Sequence, residues 1–171
     1  MNEPSQARAP IIIAIGGNLP DAAGRSPVMI CRDAVAALRA LGGCEVLAVS
    51  RWYTSPAWPP SDQPDYVNGA VLLATTLPPM ALLRALQAIE AAGGRQRSVP
   101  NAARTLDLDI IDYDGQMCDT PALVLPHPRA HERDFVLLPL ADVAPGWRHP
   151  RLGCSVEALS ARLPGVAARP L

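Results

Sequence analysis

The sequence predicts an α+β sandwich, with helices packed on one face of a mainly antiparallel sheet. Two observations support this prediction. Short apolar segments with β-type patterns are separated by segments with helical spacing, and they follow one another as β-α-β and again β-α-β. Because 171 residues suffice for one compact domain, we expect a single domain over residues 11–171, preceded by a flexible leader over residues 1–10.

The first half of the chain supplies one β-α-β unit. The β-branched run Ile11–Ile15 is typical of a buried strand, and Gly16-Gly17-Asn18 closes it. Ser26-Pro27 is a helix start, and apolar residues recur at helical spacing until Gly42-Gly43. Glu45–Tyr53 alternates like a second strand.

The second unit begins after a loop with restricted backbone freedom, because Ser55–Pro64 contains four prolines. Tyr66–Thr75 is predicted as a strand, and a helix follows Pro78-Pro79 and ends at Gly93-Gly94. A long polar loop over Gly94–Ala103 then leads to a fourth strand. A terminal helix is expected near residues 156–163.

Composition excludes several function classes. The formal net charge of −1 gives no reason to expect nucleic acid or an acidic membrane as a partner. All fifteen Lys+Arg cations are arginine, so no phosphate-binding loop of the Gly-x-x-x-x-Gly-Lys type can exist. The four cysteines form no Cys-x-x-Cys pair, which argues against a zinc site and favours reduced thiols. We expect a cytoplasmic protein.

The fourth strand, RTLDLDIIDYDG over residues 104–115, carries four aspartates. Asp107 and Asp109 lie on one strand face, about 7 Å apart, while the leucines between them face the core. Two such carboxylates repel each other unless a cation lies between them, and hard oxygen ligands suit Mg²⁺. A solvated strand face is the alternative. For Asp112 and Asp114, near the strand end, a solvated face and turn is favoured.

Arginines flank these carboxylates on both sides. Arg95, Arg97 and Arg104 precede them, and Arg129 and Arg133 follow. Each arginine alone is more often a surface charge. Together with a carboxylate pair they favour a polyphosphate site, because guanidinium groups bind phosphate and the acids bind its metal.

The sequence resembles the 6-hydroxymethyl-7,8-dihydropterin pyrophosphokinase family of folate biosynthesis. The resemblance covers roughly residues 11–145 and lies in the segments IAIGGNL, SRWYTSPAW, DQPDYVNGAV, LLRALQAIE, GGRQR, RTLDLDII and LPHPRAHERDFVLLPLADVAP. It implies a ferredoxin-like sandwich and a Mg²⁺-dependent transfer of pyrophosphate from ATP to the pterin hydroxymethyl group, releasing AMP.

The resemblance also implies the site residues. Asp107 and Asp109 would bind two Mg²⁺ ions, and the catalytic set would be Arg95, Arg104, Asp107 and Asp109. The ATP site would contain Gln87, Glu90, Arg97, Ile110, His127 and Arg133. Tyr66 and Phe135 would stack on the pterin and Asn68 would bond its polar edge, with Ser55, Pro56 and Trp58 at the rim. We expect a monomer that acts on ATP and the reduced pterin and binds neither nucleic acid nor membrane.

Three departures from the family pattern affect loops. Gly17 replaces the usual serine, Pro20 stands where glycine is common, and Asn101-Ala102-Ala103 replaces Trp-Gly-Pro in the long loop. The missing tryptophan belongs to a lid, which leaves a non-catalytic pterin- and ATP-binding relative as an alternative. A nucleic-acid-binding module of the same fold is disfavoured by the net charge and the acidic strand.

Overall fold

The computed structural model describes residues 9–96 and 100–171. In chain order its elements are β1 (Ala9–Gly17), α1 (Pro27–Ala40), β2 (Cys44–Val49), β3 (Tyr53–Ser55), β4 (Tyr66–Thr75), α2 (Pro79–Ala92), β5 (Asp107–Tyr113), β6 (Cys118–Asp119), β7 (Val124–Leu125), α3 (Asp134–Val143), α4 (Val156–Ala161) and β8 (Arg169–Pro170). A short 3-10 turn, Ala130–Glu132, precedes α3.

The main sheet is antiparallel throughout its paired strands, with the order β5-β1-β4-β3-β8, and β2 also pairs with β4. In this register Ile13 lies between Val71 of β4 and Ile110 of β5. β6 and β7 form a separate two-stranded ribbon. The predicted antiparallel α+β architecture is therefore confirmed.

Helices cover both faces of the sheet, so the prediction that they lie on one face was wrong. Ile11, Ile13 and Ile15 of β1 pack in one core with residues of α1 and α2. Ile12, which points the other way, packs in a second core with Leu137 of α3 and residues of α4. An uninterrupted apolar strand is the expected consequence of burial on both faces.

Several boundaries also differ from the sequence prediction. β1 begins two residues before Ile11, and the predicted strand 45–53 is divided into β2 and β3. Residues 50–52 separate the two strands, and the Trp52 ring packs against Gly69, where a Cβ atom would lie only 2.5 Å from the ring. The terminal helix α4 ends at Ala161, before the predicted 163.

Asp112 corrects the prediction of a solvated position. Its side chain is only 7% exposed. One carboxylate oxygen accepts a hydrogen bond from the Trp147 indole at 2.7 Å, and the other accepts one from the Gly115 amide at 3.0 Å. Asp112 therefore ties the segment after α3 to the end of β5. Asp114, by contrast, lies in the predicted Asp-Gly turn with a φ of 50°.

We expect Trp147→Phe to lower the free energy of unfolding by about 1.5–3 kcal/mol, because it leaves the buried Asp112 carboxylate without its indole donor. Urea denaturation measures the change. Unaltered stability in the phenylalanine variant would contradict a structural role for this bond.

Among the described residues, no helix combines the length and apolar character needed to cross a membrane. The four cysteines are free thiols, and Cys31 is buried. Burial raises the pKa of the Cys31 thiol to about 12, which makes it unreactive.

Candidate active site

A cavity of about 360 Å³ lies at the ends of β3, β4 and β5, beside α2 and the segment that leads into α3. It brings together most of the residues that the sequence predicted for the site, although they come from widely separated segments. Those lining it are Ser55, Pro56, Trp58, Tyr66, Asn68, Gln87, Glu90, Arg95, Arg104, Asp107, Asp109, His127, Arg133 and Phe135.

Of the predicted ATP-binding residues that the structure describes, Ile110 is not among those lining the cavity. Ile110 has a side chain that is only 4% exposed and packs in the core with α1 and α2. Arg97 lies outside the described residues. A contact of either residue with ATP stays a prediction.

β5 presents the two carboxylates as the alternation predicts. Leu106, Leu108 and Ile110 are buried, whereas Asp107 and Asp109 are half-buried and line the cavity. The neighbouring strand β1 places Gly16 opposite Asp107 and Ala14 opposite Asp109. These small residues leave space beside the acids.

Two arginines neutralise Asp107 in this structure. Arg95 Nη1 lies 2.7 Å from one carboxylate oxygen and Arg104 Nη1 lies 2.9 Å from the other. Among the described residues Asp109 makes no ion pair. Burial and the charge of Asp107 raise the pKa of Asp109 to about 7. A desolvated carboxylate that makes no ion pair among the described residues favours either a proton or a cation.

This donor set fits magnesium. Within the described ranges no third histidine, cysteine or acidic residue joins the two aspartates to form a larger ligand group. Mg²⁺ typically takes one or two carboxylates and completes its coordination with water and phosphate oxygens. Asp107 and Asp109 are therefore the residues that would hold it.

Glu90 connects α2 to the carboxylate strand. Its side chain, 4% exposed, accepts hydrogen bonds from the Leu108 amide at 2.8 Å and lies 2.7 Å from Arg95 Nη1. Burial raises the pKa of Glu90 despite these contacts. Because Arg95 bridges Glu90 and Asp107, the Glu90 carboxylate orients the Arg95 guanidinium towards β5, the strand that carries Asp107 and Asp109.

On the opposite side, the segment before α3 supplies Arg133, a cation that makes no ion pair among the described residues. The Arg133 guanidinium carbon lies 5.5 Å from the centre of the Trp58 ring and 5.7 Å from that of Phe135. Its Nε is buried without a hydrogen-bond partner, and burial lowers the pKa of this guanidinium. Arg129 packs on Trp58 at 4.5 Å. An unpaired guanidinium in a cavity favours an anionic ligand.

His127 stays neutral at physiological pH. Burial, with the positive charge of Arg133, lowers the pKa of His127 to about 4. Its Nδ1 accepts a hydrogen bond from the Arg129 amide at 3.1 Å, which requires that nitrogen to be unprotonated.

Acidification should therefore destabilise the protein through His127. Between about pH 6.5 and pH 4 the unfolded chain binds a proton that the folded state does not, which costs at most about 1.4 kcal/mol per pH unit. We expect wild type to lose more unfolding free energy than His127→Gln over this range, as measured by urea titrations at each pH. If the unfolding free energies of the two proteins fell equally with pH, this would contradict a neutral His127 in the folded state.

Buried hydrogen bonds organise the other end of the cavity. Asn68 Nδ2 donates to Ser55 Oγ at 2.8 Å, and both side chains are buried. Tyr66 donates its hydroxyl to Gln63 Oε1 at 3.1 Å. The polar groups beside the predicted stacking ring of Tyr66 are thus held in defined orientations.

Sequence reasoning missed Asn18 as a structural residue of the site. Asn18 is only 2% exposed. Its side-chain oxygen Oδ1 accepts a hydrogen bond from the Arg104 backbone amide, and its backbone amide donates one to the Arg104 carbonyl, both at 2.9 Å. A Cβ atom on the preceding Gly17 would lie 2.4 Å from the Thr105 carbonyl oxygen. Glycine at position 17 lets the chain before β5 approach this closely. In the sequence, the turn Gly16-Gly17-Asn18 was the feature that could have indicated this close contact.

Further residues line the cavity, of which Ala57 and Pro59 belong to the proline-rich segment predicted at its rim, whereas the others escaped prediction. These further residues are Ala57, Pro59, Gln63, Leu83, Leu108 and Asn101. Most lie in segments whose importance was recognised, but nothing in their type or spacing marks them individually.

Comparisons with known proteins agree with the geometry. A family model described as 7,8-dihydro-6-hydroxymethylpterin-pyrophosphokinase matches residues 12–145. The 2-amino-4-hydroxy-6-hydroxymethyldihydropteridine pyrophosphokinase of Synechocystis is 40% identical over 94% of this chain and 79% of its own length. The protein of that name from Pseudomonas aeruginosa is 40% identical over 91% of this chain and 98% of its own.

A solved structure supports the fold. The wild-type HPPK-DHPS of Plasmodium falciparum matches 93% of this chain with a TM-score of 0.67 and 12% sequence identity. This chain spans less than half of that protein, 45% of its length. At this identity the likeness concerns the fold alone, and it agrees with the predicted ferredoxin-like α+β sandwich.

Proposed function

The chain belongs to the 7,8-dihydro-6-hydroxymethylpterin-pyrophosphokinase family, and on that premise we propose that it transfers pyrophosphate from ATP to 6-hydroxymethyl-7,8-dihydropterin. The observation that carries this proposal is one cavity. It joins a strand carboxylate pair, arginines suited to phosphate, and a polar pocket beside an aromatic ring. No observation favours a non-catalytic role.

The reaction requires a new bond from the pterin hydroxymethyl oxygen to the β-phosphorus of ATP. The bond between that phosphorus and the oxygen leading to the α-phosphorus breaks, and AMP leaves with the bond electrons. The hydroxyl proton is released. Magnesium, when bound, would offset the charge of the phosphate oxygens and align the attacking oxygen, which is the general contribution of metal ions to phosphoryl transfer.

Asp107 and Asp109 are proposed to hold two Mg²⁺ ions. Arg95 and Arg104, which pair with Asp107 in the structure, would contact phosphate once metal takes over the neutralisation of that carboxylate. Arg133 would bind a phosphate oxygen from the far side, since it has no ion pair among the described residues. Gln87, Glu90 and His127 are proposed to border the nucleotide.

The pterin is proposed to stack between Tyr66 and Phe135. Asn68 would bond its polar edge, because the bond to Ser55 occupies one amide hydrogen and leaves the rest of the amide for a ligand. Pro56 and Trp58 would form the rim. This arrangement supplies two aromatic faces and few fixed polar groups, as a flat heterocycle requires.

The proposal is tested by incubating the protein with ATP, Mg²⁺ and the reduced hydroxymethyl pterin and then separating the nucleotides. We expect AMP in equal amount to a pterin diphosphate, and no product in excess EDTA. Formation of ADP, or no AMP from a folded and metal-replete sample, would refute it.

We also propose that the protein acts as a monomer in the cytoplasm. The free thiol state of its four cysteines supports a reducing compartment. Light scattering coupled to size-exclusion chromatography should give a mass near 18.1 kDa, and twice that mass would contradict the monomer.

A further inference from the structure

The side chain of Gln63 joins three separate segments at the cavity. Its Nε2 donates a hydrogen bond to the Asn101 carbonyl at 2.7 Å. Its Oε1 accepts one from the Tyr66 hydroxyl at 3.1 Å and one from Asn18 Nδ2 at 3.2 Å. Three hydrogen bonds from one amide fix its orientation, since donor and acceptor ends are both engaged.

Each of these segments bears on the position of a functional group. Tyr66 carries the ring proposed to stack on the pterin. Asn18 bonds the Arg104 backbone at both its amide and its carbonyl. Asn101 lies three residues before Arg104, whose guanidinium reaches Asp107. Gln63 is therefore linked to Arg104 by two routes and to the pterin-side ring by a third.

The segment 100–103 depends on this contact. Within the part of the chain that the structure describes, the bond from Gln63 is the one hydrogen bond that connects residues 100–103 to the protein beyond residues 95–104. Asn101 is exposed and has a φ of 59°, a left-handed conformation that asparagine adopts readily. Loss of the bond would release the chain immediately before Arg104.

We propose that Gln63 is a positioning residue that couples the pterin-side ring of Tyr66 to the placement of Arg104 at the phosphate site. This inference rests on the proposed function. It assigns to one amide the task of holding residues 100–103 against the cavity. Pterin stacking orders Tyr66, and through Gln63 it orders the segment that carries the phosphate-binding guanidinium.

Gln63→Glu separates the loop bond from the other two. A carboxylate can still accept from the Tyr66 hydroxyl and from Asn18. Its second oxygen, however, faces the Asn101 carbonyl where a donor is needed, so that attractive bond becomes a repulsive contact. Gln116→Glu, at an exposed position in the turn after β5, introduces the same charge away from the cavity and serves as the matched control.

The experiment uses the full chain with Mg²⁺ and a non-hydrolysable ATP analogue, with and without the pterin. Amide hydrogen exchange over residues 101–104 should accelerate up to about tenfold in Gln63→Glu, the equivalent of one hydrogen bond. Turnover, measured separately with ATP, Mg²⁺ and the pterin, should fall about tenfold, while pterin affinity stays within about threefold of wild type. Gln116→Glu should match wild type throughout.

Gln63→Met, of similar length but without polar groups, provides a second variant. It removes all three bonds and should accelerate exchange at least as much as the glutamate variant. Wild-type exchange in both variants, or in whichever of them folds, would overturn the inference. If wild type itself forms no AMP, the proposed function fails instead. If wild type forms AMP and Gln63→Glu turns over equally fast, the function stands and the role of Gln63 does not.

Discussion

Asp109→Asn is expected to reduce turnover by on the order of 10³-fold, about 4 kcal/mol of transition-state stabilisation, because it removes a carboxylate ligand that a neutral amide replaces poorly. Steady-state AMP formation at saturating ATP and Mg²⁺ measures the effect. Asp114→Asn is the matched control, because Asp114 lies in the turn after the same strand and its left-handed backbone suits asparagine equally well.

The asparagine variant should fold at least as well as wild type. Burial raises the pKa of Asp109 to about 7, so the folded state binds a proton more tightly than the unfolded state does. Stability contributed by that proton is present at acid pH and is lost as the pH rises from about 4 through 7. In EDTA at pH 8, Asp109→Asn should therefore show an unfolding free energy no lower than that of wild type. Full activity in this variant would show that the strand carboxylates are not metal ligands.

Arg95→Ala is expected to lower kcat/KM by on the order of 10²–10³-fold, since it removes a guanidinium aimed at the phosphate site. The loss also leaves the buried Glu90 carboxylate without the cation that lies 2.7 Å away. Removing one partner of a buried ion pair is strongly destabilising, so thermal unfolding must be measured beside the kinetics.

Arg84→Ala separates this effect from the general loss of an arginine. Arg84 is exposed on α2, the helix that carries Glu90, and does not line the cavity. We expect its removal to leave both kcat/KM and stability near wild type. Arg95→Lys should give a kcat/KM between those of wild type and Arg95→Ala, because an ammonium keeps the charge but lacks the planar fork of donors that binds phosphate. A kcat/KM for folded Arg95→Ala within twofold of wild type would exclude Arg95 from catalysis.

The carboxylate pair of the site was predictable because Asp107 and Asp109 lie only two residues apart in one strand. The alternation in Leu-Asp-Leu-Asp places Asp107 and Asp109 on one side of β5 in any strand. Tyr66–Thr75 was predicted with its observed limits, since the proline-rich loop before it and the prolines after it terminate any strand. Signals of this kind act over a few residues and do not depend on the rest of the fold.

Other features depend on segments that meet only after folding. Asp112 is buried because Trp147, 35 positions later, offers its indole donor. Strand patterning near a turn cannot reveal that partner. The strand predicted over 45–53 is likewise divided where Trp52 packs against Gly69, a residue 17 positions later. Helices cover both sheet faces because α3 and α4, which follow β5 in the chain, pack on the face opposite to α1 and α2. Local periodicity does not encode the face on which a helix packs.

By itself the sequence determined the element types, the facing of the carboxylate pair and, through its motifs, the family. These follow from backbone geometry and from residue order. Tertiary structure decided which groups pair: Arg95 and Arg104 neutralise Asp107, the Asn18 side chain accepts a hydrogen bond from the Arg104 amide, and Gln63 donates one to the Asn101 carbonyl. Such pairings form between residues up to 86 positions apart. They depend on burial and on the spatial register of strands, neither of which is a property of any single segment.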